Sequence, residues 1–150
     1  MLKPKTLVLI AVGLAAAAVV VAYAGGAFNT GPQVPNVKFV SFSPEGKQTI
    51  KENQSIEVKL KVKNYESYDV ATARITTVLQ GDSRYFAVDN SNFLISPAVA
   101  GPNGESRDLV IRITGSNLGS QQAIEDKLTI SLFVGADVTD GRRIDVRLEK

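Results

Sequence analysis

The chain has 150 residues, 17 Lys and Arg against 15 Asp and Glu, and no His, Cys or Trp. Without His there is no imidazole base, Ser–His–Asp triad or imidazole metal ligand. Without Cys there is no thiol nucleophile, zinc knuckle, iron–sulfur cluster, disulfide or lipoprotein acyl anchor. Lys3 and Lys5 account for the charge excess, because from Gly25 onward basic and acidic residues balance at 15 each. The net charge is therefore no signal for nucleic acid.

After the positive start, residues 6–24 carry no charge. As a helix at about 1.5 Å per residue, this run nearly spans a hydrocarbon core of about 30 Å. The lysines before it place the N-terminus in the cytoplasm and the rest of the chain outside. Ala22-Tyr23-Ala24 also fits a small-x-small cleavage site. The run exceeds the roughly 7–15 apolar residues of a signal-peptide core, which favours a retained signal anchor over residues 1–24. Ala11, Ala15, Ala18 and Ala22 fall at helical spacing on one side, and Gly13 and Ala17 make a second small-xxx-small pair. Such ridges let helices approach closely in lipid, so these six residues are candidates for docking against other membrane helices. The competing reading is that Ala is a tolerated filler.

Residues 25–35 hold three Gly and two Pro, which cannot continue a helix or a central strand and read as a linker. Residues 36–150 read as strands throughout. The first is predicted over residues 37–42. In residues 55–63, Ile56, Val58, Leu60 and Val62 alternate with Glu57, Lys59, Lys61 and Lys63, a period of two with one dry face. No aromatic residue interleaves with these lysines as a base-stacking surface needs, so they read as a wet strand face. A turn at residues 64–69 and an alternating strand over residues 71–79 follow. Short strands at residues 85–88 and 93–95 precede a turn-rich bend at residues 98–105. Strands over residues 109–113 and 128–134 lead to a hairpin turn at Val138-Thr-Asp-Gly141, returned by residues 144–148. Residues 121–127 allow one helical turn at most.

Short strands separated by Gly, Asn, Asp and Pro predict an all-β sandwich of about seven strands behind one N-terminal transmembrane helix. The predicted core is Phe39, Ile56, Val58, Leu60, Val62, Ile75, Leu79, Phe86, Leu109, Ile111, Ile113, Leu128, Ile130, Leu132, Ile144, Val146 and Leu148. Val58-Lys-Leu-Lys-Val-Lys-Asn64, the alternating Ala71-Thr-Ala-Arg-Ile-Thr, and Gly101-Pro-Asn-Gly-Glu-Ser-Arg before Leu109-Val-Ile-Arg-Ile resemble the immunoglobulin-like domains of the CARDB and S-layer-associated type. There a strand ending in Val-x-Asn meets an alternating partner and a Pro/Gly loop. The resemblance covers about residues 50–134. The whole chain resembles small archaeal membrane-anchored envelope proteins. This implies adhesion, scaffolding or spacing roles and offers no catalytic residues.

Candidate sites are few. Asn53-Gln-Ser55 is an N-glycosylation sequon ahead of a strand. Tyr65 and Tyr68 in a loop, with Arg84, are candidates for partner contacts. Asp82, Asp89, Asn90, Asp137 and Asp140 match no metal-loop spacing, and turns favour Asp and Asn anyway. Glu125 and Asp126, adjacent in a strand, point to opposite faces and do not converge on a substrate. No cofactor, metal, nucleic acid or small-molecule substrate is expected. The expected function is non-catalytic: an extracytoplasmic interaction module, an accessory or scaffold subunit of a membrane or envelope complex, with membrane proteins and the lipid bilayer as partners. The alternative is a pilin- or thread-like filament subunit, although the chain lacks the Gly or Ala processing position and the early Glu of a class III prepilin.

Overall fold

The computed structural model describes residues 33–81 and 84–150. The expected transmembrane helix, its small-residue ridge and most of the linker lie outside the described residues. Residues Val34–Lys150 form one compact unit.

Nine strands build it: β1 (Val37–Ser43), β2 (Gln48–Lys51), β3 (Ser55–Asn64), β4 (Ala73–Leu79), β5 (Phe86–Asp89), β6 (Asn92–Leu94), β7 (Leu109–Gly115), β8 (Ala123–Val134) and β9 (Asp137–Glu149). Two sheets result, of order β1-β3-β7-β5 and β2-β9-β8-β4-β6. With β3 and β7 central to one sheet and β9-β8-β4 consecutive in the other, these are the two sheets of an immunoglobulin-like sandwich. The order departs from the plain pattern in one place. The chain leaves β4 for β5 in the opposite sheet, then returns as β6 beside β4.

Alternation explains the core. Val58, Leu60, Val62, Leu109, Ile111 and Ile113 point inward from the first sheet. Ile75, Leu128, Ile130, Leu132, Ile144, Val146 and Leu148 meet them from the second. Each such side chain, removed from water, contributes on the order of 1.5–3 kcal/mol. Of the predicted core, Ile56 and Leu79 are only partly buried, and Val37, Ile50, Val70, Ala73, Ile95, Val99, Leu118 and Val134 join it.

One local expectation is corrected. Val138–Gly141 is not a turn: the β8–β9 hairpin closes at Gly135-Ala136, where Gly135 supplies the positive φ of +60°. Asp140 and Gly141 lie inside β9, which continues past them through an irregularity opposite Leu132 and Phe133. Residues 121–127 contain no helical turn, because β8 already begins at Ala123 and pairs with Glu149.

Both flanks of the sandwich are closed by consecutive strands that change sheets, β1 to β2 on one side and β5 to β6 on the other. On the first flank the free edge of β1 is capped by side chains. The Phe39 N–H donates to Asp140 Oδ2 at 2.9 Å, and Arg142 Nη2 donates to the Phe39 carbonyl at 3.3 Å. Asp140 and Arg142 pair with each other at 2.9 Å, and the guanidinium stacks 5.5 Å from the Phe39 ring centroid. Lys38 Nζ donates to the Thr139 carbonyl. An ion pair here takes the place of a neighbouring strand.

Exposed ion pairs dress the outer faces. The hydrogen bond from Arg112, at 2.9 Å, holds the Glu57 carboxyl below its ordinary value of 4.5. Lys47 and then Arg147 do the same to Glu125. A lowered native value means that the stabilisation is present above the unfolded carboxylate range and lost as pH falls through the native value. The urea midpoint should therefore drop between about pH 6 and about pH 3, less steeply at high salt. Glu57→Gln with Glu125→Gln should flatten that slope, and an unchanged slope would remove these pairs from the acid response.

Candidate functional site

Pairing register places side chains on the outer face of the five-stranded sheet in rows. Arg74 lies opposite Leu94 on one side and Phe133 on the other, and Phe133 lies opposite Val138. The next row is Asn92, Thr76, Ser131 and Gly141, and the one after is Val78, Thr129 and Arg143. Directly opposed residues share a face, with Cβ atoms about 4.5–5.5 Å apart. Leu94 and Val78 stand 58% and 57% exposed and Val138 49%, while the Arg74 guanidinium stacks 5.4 Å from the Phe133 ring centroid. Three large exposed apolar side chains thus stand on one sheet face, spaced by Thr, Ser and Gly. These three rows carry two guanidiniums and no carboxylate, although the described domain is rich in both signs.

A second feature sits at the end where the N-terminal segment joins the domain. Asn64 closes β3 and is fully buried. Its Nδ2 donates to the Tyr68 carbonyl at 2.7 Å and the Val99 carbonyl at 2.9 Å, and its Oδ1 accepts the Glu66 N–H at 2.9 Å. The amide thus ties the 65–72 loop to the bend at residues 96–106. Gly101 is needed for this approach: a Cβ there would fall against the Glu66 and Tyr68 carbonyl oxygens. Asp69 accepts the Gly101 N–H at 3.0 Å. The loop is therefore a fixed platform, and it holds Tyr65 and Tyr68 outward at 43% and 54% exposure. Lys63 Nζ lies 5.3 Å from the Tyr65 ring centroid.

Of the expected contact residues, Tyr65 and Tyr68 are thus brought together. Arg84 is not with them. It lies at the other end of the sandwich, between β4 and β5, against the Tyr85 ring at 5.7 Å. Asn53 is exposed in the β2–β3 turn at that far end, with φ +60°. Ala11, Gly13, Ala15, Ala17, Ala18 and Ala22 lie outside the described residues.

Glu125 points outward and Asp126 inward, as their alternation requires. Asp126 Oδ1 accepts the N–H groups of Gly81 and Lys127, both at 2.7 Å, pinning the end of β4 to β8. It borders an open cleft of about 380 Å³ shared with Lys47, Glu125 and Asp145. Among the described residues no three His, Cys, Asp or Glu side chains group as a metal set. Alternation over residues 71–79 already turns Val78 outward with Arg74 and Thr76, but only the pairing register brings Leu94 and Val138 onto the same face. Asn64 is visible in the sequence only as the end of a Val-x-Asn strand.

The sequence matches no family model, and no curated protein matches it. Among solved structures the chain is similar to the CARDB domain of a Pyrococcus furiosus protein, in solution, with 13% identity over 79% of this chain and 98% of that one and a TM-score of 0.48. A crystal structure of that CARDB domain in complex with di-metal ions gives 15% identity, 81% and 100% coverage and a TM-score of 0.47. A conjugative transposon lipoprotein from Bacteroides eggerthii gives 11% identity, 74% and 96% coverage and a TM-score of 0.48. The immunoglobulin-like assignment rests on the sheet order of this chain.

Proposed function

We propose that the protein is a membrane-anchored, extracytoplasmic interaction module that serves as a non-catalytic accessory or scaffold subunit of a membrane or cell-envelope complex. The observation that carries this reading is the row of exposed Leu94 and Val138 flanking Arg74 and half-buried Phe133, with exposed Val78 two rows along the same face. The row of Leu94, Arg74, Phe133 and Val138 runs across four adjacent strands, and a continuous line of apolar and aromatic side chains on one sheet face suits a protein contact. Charge adds direction: Arg74 and Arg143 without a carboxylate suit a partner that brings Asp or Glu beside its own apolar residues. Residues 6–24 supply the anchor, Lys3 and Lys5 hold its cytoplasmic side, and the Ala/Gly ridge docks it against other membrane helices.

The test is extraction of the full chain from its native membrane in mild detergent. Its intact mass should include residues 1–24, and stoichiometric partners should accompany it. Val78→Glu with Leu94→Glu should remove the partner held by the domain. Ala15→Leu with Ala18→Leu should weaken the one held by the helix. A mass that begins near Gly25, with the protein alone or in sheared filaments, would overturn the proposal in favour of an exported envelope or fibre component.

A further inference from the structure

We propose that the end of the sandwich bearing Tyr65 and Tyr68 rests on the bilayer surface, with both rings at the level of the lipid headgroups. The inference rests on the anchored reading above and adds an orientation to it. The first observation is where the chain enters. Tyr65 N–H donates to the Asn36 carbonyl at 2.9 Å, and Asn36 N–H donates to the Glu66 carboxylate at 2.5 Å. The junction between the N-terminal segment and the domain is thus hydrogen-bonded to the tyrosine loop itself. Residues 25–35, which follow the proposed anchor, are eleven residues and span at most about 36–40 Å when fully extended.

The second observation is the distribution of apolar surface. Tyr65 and Tyr68 project at the entry end, with Ala136 exposed at the tip of the β8–β9 hairpin and Val138 just behind it. At the opposite end, the described parts of the turns at residues 44–47, 52–54, 80–85 and 116–122 expose no large hydrophobic side chain. The domain is therefore polar at one end and aromatic at the other, along the axis that runs away from the entry point.

The third observation is chemical. Tyr presents an apolar ring and a polar tip, the pairing favoured at membrane–water interfaces. Lys63 beside the Tyr65 ring adds an ammonium within reach of phosphates. The carboxylates of the same loop are engaged by backbone: half-buried Glu66 accepts Asn36 N–H, and Asp69, itself exposed, accepts Gly101 N–H. The fixed Asn64 platform means that the rings are presented without a large ordering cost on contact.

The chain has no Trp, so a single introduced indole reports without background. Full-length Tyr68→Trp and Gln121→Trp are reconstituted into phosphatidylcholine vesicles with or without a headgroup spin label. Emission from the indole at position 68 should fall by about half in labelled vesicles and shift to the blue, while emission from position 121 stays near its unlabelled value. Tyr65→Trp gives a second reading should the first variant fold poorly by circular dichroism. Equal quenching at positions 68 and 121 would overturn the proposal. So would an indole at position 68 that is shielded from aqueous iodide but untouched by the lipid label, which would mean that protein or a second copy covers the loop. Flotation of the same vesicles separates the two ideas. A chain that floats without quenching at position 68 defeats the orientation alone, and a chain that does not float defeats the anchored reading.

Discussion

Asn64→Leu should cost the domain roughly 3–5 kcal/mol, as measured by urea and thermal unfolding. The substitution keeps the volume of the buried site but removes three hydrogen bonds: the Tyr68 carbonyl loses its donor, the Glu66 N–H loses its acceptor, and the Val99 carbonyl keeps only its bond from the Val70 N–H. Each buried group left unsatisfied costs about 1–3 kcal/mol. Asn64→Asp should be no milder. It retains an acceptor for Glu66 N–H, but it removes both donors and sets a charge against two carbonyl oxygens. Gly101→Ala attacks the same junction by pressing a Cβ onto the Glu66 and Tyr68 carbonyls. Its effect and that of Asn64→Leu should therefore fall short of additivity. A loss under about 1 kcal/mol for Asn64→Leu would mean that the loop is held by its backbone alone.

Asp140→Ala should cost roughly 2–3 kcal/mol and make the domain self-associate. The carboxylate accepts Phe39 N–H and holds Arg142 over the Phe39 ring and carbonyl. Its side chain is mostly buried, so the pair is less screened than a surface ion pair. Without it β1 presents an unpaired edge, which invites pairing with another chain. Asp140→Asn keeps an acceptor oxygen and should lose less. A double-mutant cycle with Arg142→Ala should show clear coupling, because either substitution alone already opens the seam. Light scattering that shows only monomer at high concentration would remove the edge-capping role while leaving the stability effect to be judged separately.

Both sites bear on what can be read before the structure. Strands whose alternation is uninterrupted, such as β3 and β7, are legible almost to the residue, since one buried face imposes period two. β2 escapes because Gln48–Lys51 offers a single buried residue, Ile50, and is held by parallel pairing with β9. The β8–β9 turn is misplaced because Asp-Gly is a strong hairpin signal in isolation. Here the Asp side chain is committed to a strand edge 101 residues away in sequence, and Gly135 supplies the turn. The tyrosine loop is visible as a loop with exposed aromatics. Its junction with Asn36 is not, because it depends on a pairing between Val37 and Asn64 that no local pattern encodes.

The strand directions also have a mechanical meaning. β1 starts at the entry end and β9 finishes at the far end, and β2 runs parallel to β9 over Gln48–Lys51 and Val146–Glu149. Tension drawn between Val37 and Glu149 therefore slides β2 and β9 along each other. It loads their ladder together with the Asp140–Arg142 seam on β1 and does not peel bonds one at a time. The domain is built to resist pulling along its length.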